Sequence, residues 1–288
     1  MIAEPTVLVL GAGASQPYGF PIGSGLKDTI LHGLSNEVER SLYLSSGFSQ
    51  DDLAEFQDVL KTSPFATIDA ILSFRPAIAK IGKFAIVKAL SVSQKHDHVF
   101  PPRDWYHYLF TRLELENLNA PVPALSVLTF NYDNSFEYFF QHVIRRMFEG
   151  DHQTEVRKRY EAIPIVHLHG RLGQYPKDGQ DPLENLGQSL SESDIKVISD
   201  DDLDESPEFV KAFEIMCQAK RIIYLGFGYA EINCRRLRIH EIPEDIKMYG
   251  TCFRMQPNPI TSALGREIAL CDINWQCDQA LKQWKDIV

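Results

Sequence analysis

An apolar run that leads into a glycine loop is the feature that most constrains how this chain folds. Residues 7–10 are all apolar, and Gly11 and Gly13 follow them directly. Unbroken apolar runs are typical of parallel strands that are buried on both faces. Glycines in the following turn let the main chain approach a ligand, and several N–H groups can point at one phosphate. The pattern predicts a dinucleotide or phosphate site at the end of the first strand.

Two details of this loop separate it from an ordinary dinucleotide-binding motif. Gln16 occupies the place of the usual third glycine. No acidic residue closes a second strand about 20 residues further on, where a ribose-binding carboxylate is expected. The loop therefore fits an NAD dehydrogenase poorly. Tight strand-to-helix turns also use glycine for structural reasons alone, so that interpretation stays open.

Composition and charge exclude several classes of partner. The 288 residues are 44% hydrophobic and 24% charged, as in a soluble globular protein. The formal net charge of −10 argues against a broad surface for nucleic acid or for anionic membranes. It does not argue against a single bound nucleotide, because backbone amides can hold the phosphates.

Cysteine use predicts a reducing compartment. The five cysteines are an odd number, and none of them forms a C-x-x-C pair. Disulfides and a zinc ribbon are both disfavoured. The chain starts without a basic segment and an apolar run of signal length, and no run is long enough to span a membrane. We therefore expect a cytoplasmic protein.

The order of apolar patterns predicts one α/β domain over residues 1–288. Further strands are expected over residues 125–130, 163–168 and 221–225 and near 248–253. Helical spacing dominates from about 35 to about 120, and Pro76 should kink or split its longest stripe. The predicted fold class is a Rossmann-like, doubly wound parallel sheet with this helical module inserted and no zinc ribbon.

Two further segments lie outside this pattern. Residues from about 171 to 208 lose periodicity and become acidic, above all over 191–208, which is typical of a solvated loop or a mobile lid. The chain ends in an amphipathic helix that includes Trp284. Such an aromatic stripe is more often part of a core than a partner surface, and both interpretations stay open.

Polar residues follow directly after several of the predicted strands. Asn131 and Asp133 follow one strand, His169 follows the next, and a turn with Gly226 and Gly228 follows a later one. In an open parallel sheet, ligands bind outside these strand ends. Each residue also has a structural interpretation: Asn131 and Asp133 suit a helix cap, and His169 could be a satisfied core histidine.

A metal site is the other chemistry that this region suggests. His167 and His169 are spaced to share one strand face. No carboxylate or cysteine pattern completes a set of metal ligands around them. No metal is therefore expected.

Several motifs in fixed order resemble those of the sirtuin family. They are Gly11–Ser15 with the sequence GAGAS, Gly19-Phe20-Pro21, Thr129–Asp133 with the sequence TFNYD, and His167–Gly170 with the sequence HLHG. A helical insertion separates the first two motifs from the third, as in that family. The segment Gly226–Asn233, GFGYAEIN, is similar to the sirtuin-like proteins of bacterial antiphage systems in particular.

Three departures separate the chain from the protein deacylases of that family. The zinc ribbon after the His-Gly motif is replaced by the cysteine-free acidic segment. Residues 22–24, Ile-Gly-Ser, stand in place of Asp-Phe-Arg, and Phe130 stands in place of the glutamine before Asn131. Loss of the ribbon removes part of the cleft for an acyl-lysine peptide, so the resemblance implies NAD binding more strongly than it implies deacylation.

The resemblance implies an NAD glycohydrolase that releases nicotinamide and ADP-ribose, with NAD as substrate. By this resemblance, Asn131 would contact the nicotinamide ribose and position the water, Asp133 would hold the carboxamide, and His169 would act on the ribose hydroxyls as general base. The pyrophosphate would be bound by Gly11, Ala12, Gly13 and Ser15. The adenosine half would lie near Gly226 and Gly228. Asp69, Glu231 and Asn233 are further polar candidates that suit helix caps or the surface equally well.

Two other functions stay open: an NAD-dependent protein deacylase, and a nucleotide-binding or scaffold subunit of a larger complex. The resemblance also implies an effector role in antiphage defence by abortive infection. It implies self-association into a homo-oligomer and a partner subunit such as a HerA-type ATPase or a short argonaute. No direct contact with nucleic acid and no membrane association are expected.

Overall fold

A six-stranded parallel sheet forms the centre of the fold. The computed structural model describes residues 2–102, 104–176, 190, 193–196 and 206–284. The strands in these ranges are β1 (Thr6–Leu10), β2 (Leu125–Thr129), β3 (Ile165–His167), β4 (Arg221–Leu225), β5 (Lys247–Gly250) and β6 (Ala269–Leu270). Their order is β3-β2-β1-β4-β5-β6, and each pair of neighbours is parallel. This confirms the predicted α/β, Rossmann-like fold class, in which the strand order reverses between β1 and β4.

The first strand is buried on both faces, as its unbroken apolar run predicts. All five residues of β1 are buried. Successive side chains of a strand point to opposite faces. Leu8 and Leu10 accordingly belong to one hydrophobic core, whereas Val7 and Val9 belong to the other. Both faces of the sheet are therefore covered, which makes it doubly wound.

Helices fill the connections between the strands. Those before β2 are Ala12–Ser15, Gly23–Leu34, Glu37–Ser45, Gln50–Thr62, Ile68–Phe74, Ala79–Ser93 and Trp105–Leu113. Those after β2 are Ser135–Met147, Gly150–Glu161, Pro207–Cys217, Glu231–Arg236, Pro257–Leu264 and Cys277–Gln283.

The helical module between β1 and β2 matches the sequence pattern closely. Helix Ile68–Phe74 ends before Pro76, a 3₁₀ turn follows, and helix Ala79–Ser93 begins after it, so the predicted split is confirmed. Proline cannot donate the hydrogen bond that would continue the first helix. Helix Gly23–Leu34 packs on Gln50–Thr62 and on Ala79–Ser93. The module therefore includes residues before the expected start at about 35.

Two of the elements that were not predicted from the sequence are a helix and an edge strand. Helix Gly150–Glu161 buries only Val156 and Tyr160, so it carries almost no apolar stripe. Strand β6 has two residues, neither of them buried, and it pairs with β5 at the edge of the sheet. Periodicity reveals an element only where that element buries a regular set of apolar side chains.

The C-terminal helix packs onto the domain, with the tryptophan that follows it largely buried. Helix Cys277–Gln283 packs on helix Trp105–Leu113. Trp284 is 8% exposed, and its ring lies 5.8 Å from the ring of Tyr249 on β5. This placement agrees with the core interpretation of the stripe, and a partner surface on this helix stays a prediction.

Most of the acidic segment lies outside the described residues; within 191–208, the structure describes 193–196 and 206–208. Residues 193–196 run beside the residues after β3, where the Lys196 N–H donates to the His169 carbonyl at 2.9 Å. Among the residues that the structure describes, no helix is both long and apolar enough to cross a membrane.

Candidate active site

The candidate site lies where the loops after β1 and β4 meet. The Gly11 N–H donates to the Leu225 carbonyl, and the Gly13 N–H donates to the Gly226 carbonyl, both at 3.0 Å. These loops leave the carboxyl ends of the two strands between which the sheet order reverses. In open α/β sheets this crevice is the place where ligands bind.

The glycines are required here by the contact between the two loops. A Cβ atom on Gly11 would lie 2.6 Å from the Gly226 oxygen, and one on Gly13 would lie 2.9 Å from the Gly226 Cα atom. Gly226 itself has a φ of +56°, and a Cβ atom there would lie 2.0 Å from the Ala14 nitrogen. The N–H groups of Gly11 and Gly13 are used between the loops. Pyrophosphate binding by Gly11–Ser15 stays a prediction.

Asn131 joins the second strand end to the glycine loop. Its Nδ2 atom donates to the Gly11 carbonyl at 3.0 Å and to the Ser15 hydroxyl at 2.8 Å. The side chain does not cap the helix that follows, because that helix begins at Ser135. Asn131 is 8% exposed, so these hydrogen bonds are shielded from bulk water and fix the side chain well. The structure thus brings Asn131, Gly11 and Ser15 together.

Asp133 accepts hydrogen bonds at the start of the next helix, as a capping residue does. Its Oδ1 atom accepts from the Ser135 N–H at 3.1 Å and from the Ser135 hydroxyl. Burial raises the pKa of Asp133, although its hydrogen bonds to Ser135 and Ser15 oppose this change. The structural interpretation therefore accounts for one oxygen of the carboxyl. Binding of a carboxamide by Asp133 stays a prediction.

His169 lies in an aromatic pocket that includes the rings of both chain neighbours of Asn131, Phe130 and Tyr132. Its ring is 5.2 Å from that of Phe130, 5.8 Å from that of Phe209 and 6.4 Å from that of Tyr132. The side chain is 4% exposed, and its Nε2 atom has no hydrogen-bond partner among the described residues. A buried polar atom without a partner is costly, and a substrate hydroxyl would satisfy it.

The charge state of His169 follows from this pocket. Burial, together with the positive charges of Arg236 and Lys196, lowers the pKa of His169 to about 3. The imidazole is therefore neutral near pH 7. A neutral ring can accept a hydrogen bond, but a pKa this far below neutral makes it a weak proton acceptor, so the general-base role stays a prediction.

The two histidines of the HLHG motif have different partners. The His167 Nε2 atom lies 2.6 Å from the Glu137 carboxylate, whereas His169 packs among aromatic rings. Among the residues that the structure describes, no three His, Cys, Asp or Glu side chains are grouped so that they could hold a metal ion. His167 therefore belongs to an ion pair.

Sequence reasoning missed several residues of the site. Glu137 binds His167, and Ser135 binds Asp133. The buried Arg236 lowers the pKa of His169. Glu137 and Arg236 have a weak signal in the sequence, because each is a charged residue on the buried side of a short helix. Their partners are distant along the chain, which no local pattern indicates.

The three further candidates have separate environments. Asp69 accepts a 2.8 Å hydrogen bond from the Tyr132 hydroxyl, which ties the helical module to the second strand end. Glu231 is exposed in the first turn of its helix, in agreement with a surface role. Asn233 is half-buried, and its Oδ1 atom has no hydrogen-bond partner in the described parts of the chain.

A small polar cavity adjoins these groups. Its volume is about 10 Å³, roughly the space that one water molecule needs. Its polar lining consists of Ser15, Tyr106, Thr129, Asn131, Asp133 and Glu137. Two of these residues, Ser15 and Thr129, form hydrogen bonds with Asn131.

Comparison with protein families matches residues 125–257 to the SIR2-like domain. The match supports sirtuin-like superfamily membership. SIR2-like domains use NAD, so the chain fits a family of NAD-dependent enzymes. The matched residues run from β2 past β5 and include Asn131, Asp133, His169, Gly226 and Gly228. The chain has no match among curated proteins.

The neutral state of His169 predicts how the stability of the fold depends on pH. The pKa of His169 is about 3 in the folded chain, against about 6.5 in an unfolded one. Between these values the unfolded state binds a proton that the folded state does not, so stability falls as pH falls below 6.5. Where the unfolded state is fully protonated and the folded state is not, the free energy of unfolding falls by about 1.4 kcal/mol for each pH unit.

His169→Phe removes this titration and suits the aromatic pocket. We expect the free energy of unfolding of the variant to fall less steeply than that of the wild type between pH 6.5 and pH 4.5. Urea denaturation at several pH values measures both slopes, and their difference isolates His169 from the other titrating groups. Equal slopes would show that His169 is not held neutral by the fold.

Proposed function

We propose that this chain is an NAD glycohydrolase, which cleaves NAD with water to nicotinamide and ADP-ribose. The observation that carries the proposal is the placement of Asn131. Its amide is bound to the glycine loop at the reversal of the sheet order. The rings of its two chain neighbours, Phe130 and Tyr132, pack against the neutral His169. The SIR2-like match supports NAD as the substrate.

The reaction breaks the bond between nicotinamide nitrogen and ribose carbon, forms a bond from that carbon to water oxygen and releases one proton. Nicotinamide leaves from NAD as a neutral molecule without being protonated first, because the bound ring is already cationic. The residues of the chain therefore have to orient the ribose, support the positive charge that develops on it and admit water. This favours a site with few acid–base groups and well-fixed polar groups.

We assign a role in the reaction to each of three site residues from its hydrogen bonds and its burial. The Asn131 amide, fixed by Gly11 and Ser15, orients the ribose and the attacking water. The unpartnered Nε2 atom of His169 accepts a hydrogen bond from a ribose hydroxyl and so orients the ribose. The raised pKa of Asp133 reflects a buried carboxyl, which suits it to a carboxamide ligand.

The test is nicotinamide release by the purified protein, with NAD alone and with NAD plus an acyl-lysine peptide. Hydrolysis predicts equal amounts of nicotinamide and ADP-ribose without the peptide. Turnover only with the peptide would instead indicate deacylation, and no turnover in any assembly would indicate a binding or scaffold subunit. His169→Asn, purified in the same way, controls for contaminating activity, and NADP in a parallel reaction measures the preference between the two dinucleotides.

The antiphage role, the self-association and the partner subunit belong to the same proposal. Uncontrolled NAD hydrolysis would harm the host, so a subunit that restrains or triggers it is expected, such as a HerA-type ATPase or a short argonaute. All five cysteines are free thiols, which supports a cytoplasmic location. Mass measurement of the protein alone and co-expressed with its genomic neighbours tests the assembly.

A further inference from the structure

The proposed function leaves a buried ion pair beside Asn131 without a role. The His167 Nε2 atom lies 2.6 Å from the Glu137 Oε1 atom, and the His167 Nδ1 atom lies 3.2 Å from the main-chain oxygen of Asn131. The side chains of His167 and Glu137 are 9% and 17% exposed. One imidazole ring therefore joins the first turn of helix Ser135–Met147 to the peptide that follows β2.

The partners of His167 require a particular charge state. A carbonyl oxygen and an ionised carboxylate can only accept hydrogen bonds, and a neutral imidazole can donate from one nitrogen only. The cation satisfies both partners. Burial opposes the charge of His167, but Glu137 and the Asn131 carbonyl outweigh it and raise the pKa of His167. Burial also opposes the charge of Glu137, and His167 outweighs it and lowers the pKa of Glu137.

The other ionisable groups that face the pair are few. Asp133 raises the pKa of His167 further, and Arg171 lowers that of Glu137 further. Tyr106 and Tyr160 also lie near Glu137, but burial raises their pKa values well above the usual range, so both stay neutral. The surroundings therefore favour the ionised pair.

The contact at the Asn131 carbonyl acts on the direction of the Asn131 side chain. The Asn131 N–H donates to the Thr129 hydroxyl at 3.0 Å, and the Asn131 carbonyl faces His167. The main-chain N–H and the carbonyl of Asn131 thus both contact groups outside the glycine loop, namely Thr129 and His167. Because the main chain sets the direction of the Cα–Cβ bond, these contacts determine where the amide can reach.

We propose that His167, held as a cation by Glu137, is a positioning residue that fixes the peptide of Asn131 and thereby aims its amide into the NAD site. The proposal rests on the proposed function. A buried ion pair contributes little net stability compared with apolar residues of the same size. Its distinctive contribution here is geometric, since only a group that donates from two sides can join Glu137 to the Asn131 carbonyl.

The experiment compares Glu137→Gln and His167→Gln with the wild type. Glu137→Gln keeps the size of the side chain and removes the charge that holds the His167 cation. The matched control is Glu155→Gln, which removes the carboxylate of an exposed ion pair with Lys158. Two measurements are made: ring ¹⁵N shifts of His167 against pH together with the side-chain amide resonances of Asn131, and kcat and KM for NAD.

We expect the pKa of His167 to fall by at least one unit in Glu137→Gln, and the Asn131 amide resonances to move in both variants but not in the control. A misdirected amide should lower kcat by about tenfold or more while KM changes far less. Urea denaturation gives the folded fraction of each variant, and kcat is corrected for that fraction, because loss of folded protein also lowers kcat without changing KM.

The outcomes distinguish this proposal from the proposed function. Unmoved Asn131 resonances in both variants would overturn the positioning role, whatever the activity. Moved resonances with an unchanged kcat would also overturn it. If the wild type releases no nicotinamide in any assembly, the proposed function fails, and moved Asn131 resonances would then still establish that His167 fixes the Asn131 amide.

Discussion

Asn131→Ala is expected to lower kcat for nicotinamide release by about 100-fold or more, the usual effect of removing a fixed polar group that acts on developing charge. The substitution removes the amide proposed to orient the ribose and the water. It also removes the two hydrogen bonds from Nδ2 to the Gly11 carbonyl and the Ser15 hydroxyl. Asn131→Asp should be equally inactive, because a carboxylate cannot donate to the carbonyl.

A second asparagine provides the control for this prediction. Asn36 caps the helix Glu37–Ser45 by accepting from Val38 and Glu39, far along the chain from the site. Asn36→Ala should cost about 1 kcal/mol of stability and leave kcat unchanged. The assay is nicotinamide release under saturating NAD. If Asn131→Ala keeps a third or more of the wild-type kcat, Asn131 is not a catalytic residue.

Gly226→Ala is expected to destabilise the fold by about 3 kcal/mol or more, since left-handed strain and overpacking each cost roughly 1–3 kcal/mol. Gly226 has a φ of +56°, and a Cβ atom there would lie 2.0 Å from the Ala14 nitrogen and 2.3 Å from the Gly13 carbonyl carbon. These are main-chain atoms, so they cannot turn aside as a flexible side chain can. The two loops would have to separate.

Gly228→Ala is the matched control, two residues further along the same loop. Gly228 is exposed, and a Cβ atom there would meet nothing within 4 Å. Its effect on stability should be within about 0.5 kcal/mol. Urea denaturation midpoints of the two variants and the wild type measure the difference. Similar midpoints for Gly226→Ala and Gly228→Ala would show that the close approach of the loops is not needed for stability.

Much of the fold follows from local patterns in the sequence. The apolar runs of β1 and β4 predict buried parallel strands, because only such strands need apolar residues on both faces. Pro76 predicts the break between two helices, because its chemistry acts on the adjacent turn. Helix Gly150–Glu161 has no such signal, since it buries only Val156 and Tyr160. Local patterns are thus informative where burial or backbone chemistry is local.

The candidate site divides in the same way. The sequence alone determined the polar and glycine residues at the strand ends, among them Asn131, His169 and Gly226. Only the tertiary structure showed that position 226 requires a glycine, because the loops after β1 and β4 come into close contact there. It also showed that His169 is neutral, because aromatic rings enclose it. It also decided the pairing of His167 with Glu137. Such contacts join residues distant in sequence, and their energies depend on burial, which exists only once the chain is folded.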